Sequence, residues 1–128
     1  MVVIAVMAVI SAIAVPAYVG YIREAKLSTA HANADSLRIF LEDHQLDNST
    51  YVASGDVSGT TYSKSDLASK FNWTPSGDGD LYTYSVTVTP TTWSITVQHD
   101  DGEWIRCEDR MNTCCDMDTS GATTSACP

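Results

Sequence analysis

Four cysteines, three histidines, three close pairs of aspartates and one Asn-Ser-Thr triplet are the residues here whose types and spacing could support chemistry. Cys107, Cys114, Cys115 and Cys127 all fall toward the C-terminus. An even set clustered in a loop-rich tail reads as a disulfide framework made in an oxidising compartment. Zinc fits less well, because structural zinc sites usually draw their ligands as short Cys-x-x-Cys-like clips, and this spacing does not supply two of them. Four cysteines allow three pairings, and the sequence does not choose among them. A Cys114–Cys115 bond would be strained, since adjacent Cα atoms sit about 3.8 Å apart. Both bonds are therefore expected to leave the vicinal pair, one for Cys107 and one for Cys127. Asp78/Asp80, Asp100/Asp101 and Asp116/Asp118 offer the clustered carboxylates that calcium selects, but none extends into the twelve-residue ligand spacing of an EF-hand. They read as acidic turns in solvent. Asn48-Ser49-Thr50 matches an N-glycosylation acceptor, which makes Asn48 a glycosylation site to test. His31, His44 and His99 belong to no HExxH, and the chain has neither a Gly-x-Ser-x-Gly elbow nor a P-loop. With the thiols expected in disulfides there is no free nucleophile. The expectation is a chain that is not an enzyme and needs no cofactor or metal.

The elements that carry these residues are set by an uneven charge distribution. Met1 to Ile22 contains no charged residue, whereas all 16 acids and 7 bases lie beyond it. As a helix this segment would extend roughly 33 Å, close to a bilayer's apolar thickness of about 30 Å. Ser11, Pro16 and Gly20 interrupt it with residues that weaken a helix locally, by a missing amide donor at Pro16 and by backbone freedom at Gly20. A secretory signal cut after Ala12-Ile13-Ala14 is the competing reading. It lacks a basic stretch ahead of the apolar run, and the helical pattern continues past the cut. The net charge of -9 speaks against a nucleic-acid surface and against a head lying flat on anionic lipid.

Beyond Ile22 the helix pattern changes but does not stop. Ala30, Ala34, Leu37, Phe40, Leu41 and His44 recur at steps of three or four, and Arg23, Glu24, Lys26 and Asp35 occupy the rest. Leu37, Phe40 and Leu41 are expected to pack on a sheet. Residues 47–80 read as an irregular loop with one short helix, Ser65 to Phe71, that Ser65 could cap. Leu81 to Thr89 and Trp93 to His99 alternate apolar and polar residues, and a third strand starts at Glu103. The expected fold is α+β: a long N-terminal helix packed on a three- or four-stranded antiparallel sheet, with a disulfide loop at the C-terminus. Its parts are an apolar segment (1–22) and a head (23–128). The head comprises the amphipathic helix half (23–46), the loop (47–80), the sheet (81–107) and the disulfide loop (107–128).

VVIAVMAVISAIAVPAY, with its closing Pro16-Ala17-Tyr18 and the following Arg23-Glu24-Ala25-Lys26, resembles the N-terminal helix of type IV pilins. The match covers Met1 to about Lys26, and the head agrees in architecture only. The family begins with a methylated residue, usually Phe, and holds a Glu just ahead of this stretch. Neither stands before the match, so the chain is expected to begin inside the motif, and the Glu that sets subunit register has no counterpart here. The resemblance implies a structural subunit that polymerises through its N-terminal helix into an extracellular filament of a Gram-negative bacterium, for adhesion, motility or uptake. Its partners would be copies of itself, the pilus assembly machinery, a prepilin peptidase, and the inner membrane that holds the unassembled pool. The alternatives are a minor pilin or type II secretion pseudopilin and, in another class, a membrane-anchored or secreted disulfide-rich binding module.

Overall fold

Helix α1 spans Val2–Asn48 without a break, in a computed structural model that describes residues 2–77, 79–102, 104–109 and 114–117. Its 47 residues extend roughly 70 Å. Pro16 lies inside it and cannot donate to the preceding turn, and the Ser11 hydroxyl donates to the Met7 carbonyl at 2.8 Å. In the single chain these positions soften a helix that nevertheless stays continuous. The helix ends where Ser49 enters the left-handed region (φ 58°), its N–H donating to the Gln45 carbonyl at 2.7 Å.

The sheet is an antiparallel meander of five strands in the order β1 (Thr61–Ser63), β2 (Tyr82–Val88), β3 (Trp93–His99), β4 (Trp104–Glu108) and β5 (Cys115–Met117). The two central strands obey the alternation read from the sequence. Tyr82, Tyr84, Val86 and Val88 are buried, as are Trp93, Ile95 and Val97. The register places Tyr84 opposite Val97 and Val86 opposite Ile95, so both apolar sets share one face. Strand count exceeds the expected three or four because β1 and β5 have three residues each, too few for a period of two to emerge. Glu103, the expected start of the third strand, lies outside the described residues.

Against the sheet's apolar face α1 lays Leu27, Ala30, Ala34, Leu37 and Leu41, all buried. Complete burial of Leu37 or Leu41 contributes about 1.5–3 kcal/mol each. Phe40 does not join them: it is 39% exposed. At about 100° per residue it falls roughly 100° from the centre of the Leu27–Leu41 stripe, so a step of three from Leu37 carries it onto the flank. Its neighbour Leu41 takes the core position.

The segment expected as an irregular loop supplies a second layer of core. Helix α2 (Lys64–Phe71) buries Leu67 and Phe71. Its N-cap is Ser63, two residues earlier than the expected Ser65. The Ser63 N–H donates to Asp66 Oδ2 at 3.0 Å and its hydroxyl donates to the same oxygen at 2.7 Å. Phe71 meets the Tyr62 and His44 rings edge-on, with centroids 5.1 and 4.9 Å away. Trp73 packs edge-on against Tyr84 and donates its indole N–H to Ser36 Oγ at 3.2 Å.

Candidate assembly site

The part of α1 outside the head is the largest apolar surface among the described residues. From Val2 to Tyr21 every residue is exposed, and the first buried residue of the helix is Leu27. Val2 and Ile13 are 75% and 70% exposed, values that ordinary surface leucines and valines reach singly but seldom in a continuous run. The segment is apolar and long enough to cross a membrane. Water therefore rejects it on all sides, and only lipid or other protein can cover it.

A collar marks where the head takes hold. Tyr18 and Tyr21 stand exposed just before it. Lys26 then forms an ion pair with Asp101 in the β3–β4 turn, and the Tyr82 hydroxyl donates to the Lys26 carbonyl at 3.0 Å. Lys26 hydrogen-bonded to the Asp101 carboxylate holds it below its usual ionisation range. The turn is braced further by the Asp101 N–H, which donates to His99 Nδ1 at 3.1 Å. On its outward side the head half of α1 leaves Ile39 and Leu46 68% and 78% exposed, among Asp35, Arg38, Glu42 and Asp43.

The other residues singled out in the sequence separate from this surface. Cys107 and Cys114 form a disulfide that ties the end of β4 to the entry of β5. Cys115 is disulfide-bonded as well, and Cys127 lies outside the described residues. Asn48 is the exposed last residue of α1, its amide nitrogen 3.0 Å from the His44 carbonyl. The aspartates meet bases: Asp80 pairs with Lys64, Asp101 with Lys26, and Asp116 with His31 at 2.7 Å. Asp78 and Asp118 lie outside the described residues. Among the described residues no three His, Cys, Asp or Glu side chains converge on a metal position.

Four residues that matter were not found by pattern. Leu27 continues the buried stripe one turn earlier than its first assigned member. Lys26 and Asp101, 75 positions apart, form a clamp that no local spacing signals. Asn33 is 2% exposed, covered because its side-chain oxygen accepts from the Ser76 N–H at 3.0 Å and its amide donates to the Ser76 carbonyl at 3.3 Å. Compared with known protein families, with curated proteins and with solved structures, the chain finds no match.

Proposed function

We propose that this chain is the structural subunit of a type IV pilus-like filament, in which the projecting halves of α1 from many copies bury one another. The observation that carries the reading is the run from Val2 to Tyr21, exposed throughout and continuous with a helix that the head grips from Leu27 onward. A rod that water rejects, rigidly joined to a water-soluble head, is suited to packing rods inside and heads outside. The resemblance of VVIAVMAVISAIAVPAY to pilin N-terminal helices supports the same reading. Before assembly the segment would reside in the inner membrane, with the head on the side where disulfides form.

Electron microscopy of appendages sheared from cells expressing the chain is the test. Filaments composed of this chain alone are expected. Filaments in which it is a trace component would assign it as a minor pilin or pseudopilin. A protein found only as a membrane-embedded single copy would overturn the assembly reading in favour of an anchored binding module.

A further inference from the structure

Where the rod meets the head, an open furrow of about 300 Å³ runs between α1 and the base of the sheet. Tyr18, Tyr21, Ile22 and Ala25 form its wall on the helix, and Leu81 and His99 line it from the head. Leu81 is left 47% exposed there, an apolar side chain that the head does not cover. The volume is at the small end for ligand sites and suits one part of a larger molecule.

The polar groups inside the furrow are engaged, with one exception. Lys26 is ion-paired with Asp101, and the Thr29 hydroxyl donates to the Ala25 carbonyl at 3.1 Å. The Tyr82 hydroxyl is spent on the Lys26 carbonyl. His99 is the exception. It is 7% exposed, and its ring meets the Tyr82 ring edge-on with centroids 4.9 Å apart. Its Nδ1 accepts the Asp101 N–H at 3.1 Å and lies 3.4 Å from the Asp101 carboxylate. In a neutral ring that acceptance places the proton on Nε2, and a doubly protonated ring carries one there as well. Nε2 is thus a donor in either state, and it has no hydrogen-bond partner among the described residues. It is not sealed in. Among the described residues the fully covered side-chain polar atom without a partner is the Tyr84 hydroxyl, so Nε2 stays within reach from the furrow that His99 lines. Polar atoms of buried residues are nearly always partnered, and this one is left for something outside the fold.

Depth selects the occupant. Val2 to Ile22 measures roughly 32 Å along the helix, close to a bilayer's apolar thickness of about 30 Å. With that segment in a membrane, the furrow opens at the boundary between hydrocarbon and headgroups. Tyr18 and Tyr21 fit this level, because tyrosines concentrate at membrane–water interfaces. Phospholipid ester carbonyls lie there too, as acceptors joined directly to apolar chains. A hydrocarbon chain alone would leave the Nε2 proton unpaired, and a small soluble anion would leave Leu81 and Ile22 uncovered. An acyl ester satisfies both. We propose that the furrow between the α1 collar and Leu81 seats the glycerol-ester region of one diacyl phospholipid, with His99 Nε2 donating to an ester carbonyl and an acyl chain lying along the rod. The inference rests on the membrane-resident stage of the assembly reading and adds a specific lipid contact to it.

The test is native mass spectrometry of the full chain from detergent micelles that contain dioleoyl phosphatidylcholine or its diether analogue, which lacks both ester carbonyls. One diester lipid should be retained per chain, and the diether roughly three- to tenfold less. Ala25→Trp, at an exposed position on the helix wall, should fill the furrow and abolish retention. Ser28→Trp, exposed on the same helix but outside the furrow, should leave retention unchanged. Leu81→Ser on the opposite wall serves if Ala25→Trp does not fold, and should weaken retention. Thermal unfolding shows which variants fold. No retained lipid, or equal retention of diester and diether by the unaltered chain, would overturn the proposal. So would unchanged retention in the folded furrow variant, or an equal loss in Ser28→Trp. Alkaline extraction of vesicles carrying the chain separates the two readings. A chain that stays with the vesicles yet retains no lipid defeats the ester site alone, whereas a chain extracted as soluble protein defeats the membrane stage as well.

Discussion

Leu37 and Phe40 sit one helical turn apart on α1 and should respond to truncation very differently. Leu37→Ala removes a fully buried side chain from between helix and sheet and should cost about 2–5 kcal/mol. Phe40→Ala removes a side chain with two-fifths of its surface in water and should cost no more than about 1 kcal/mol. Urea unfolding followed by tryptophan fluorescence, in detergent that keeps α1 dispersed, compares them directly. Alkali offers a second test. Tyr51 and Tyr84 are both raised from 10.0 to about 12, in each case first by burial, and for Tyr51 also by its hydrogen bond to Glu42. A raised folded-state value means that the fold favours the neutral phenol. Their contribution is therefore complete below pH 10 and is lost as the pH rises from 10 to about 12. The urea midpoint should fall over that window, and Tyr51→Phe should make the fall shallower. At the acid end the sign reverses. Asp56 is held below its usual value by Lys70, Asp66 by Ser63 and Asp80 by Lys64, so their support is present above 3.8 and lost as pH falls further. Asp80 is exposed and Asp56 and Asp66 are half-buried at the surface, where solvent screening keeps this effect small.

At the scale of elements, legibility followed length. The 47-residue helix and the two seven-residue strands carry enough periods for their buried faces to be read directly. Strands β1 and β5 and the cap at Ser63 carry too few. The aromatic layer of Tyr51, Tyr62, Phe71 and Trp73 was hidden for another reason. Each stands alone in a Ser-, Gly- and Asp-rich segment, and what buries it is tertiary contact with α1 and β2 rather than any neighbour in sequence. The disulfide from Cys107 agrees with one leg of the expected pattern, because a bond to Cys114 avoids the strained vicinal link. The projecting apolar face of α1 was legible as composition, since uncharged residues declare themselves without any fold. The collar was not, because the Lys26–Asp101 pair exists only once the chain has folded. A prediction about α1 belongs at this scale. In the proposed filament, Ala8 to Pro16 should lose regular helical hydrogen bonding, since Ser11, Pro16 and Gly20 weaken it and subunit contacts can replace what is lost. A filament density map checks this. In Pro16→Ala the same stretch should remain helical, and an unbroken wild-type helix in the map would refute the idea.

The whole molecule divides into a rod and a head that share one helix. Removing residues 1–22 should therefore leave a folded, water-soluble monomer, because no described residue of that segment is buried in the head. Sedimentation velocity in buffer without detergent checks it, and polymers persisting after truncation would place the assembly surface elsewhere. In the proposed filament, covering the rod would take many copies, whereas holding the head on its rod falls to each copy alone. That grip lies along the helix, from Leu27 to Leu41, and closes with the Lys26 clamp. The arrangement has a mechanical consequence. A pull on the head parallel to the rod loads every rung of that stripe in shear at once, so no single contact can be peeled before the others. A sideways tug would meet the Lys26–Asp101 end first, and a fibre built from such units should withstand tension along its axis better than twisting of its heads.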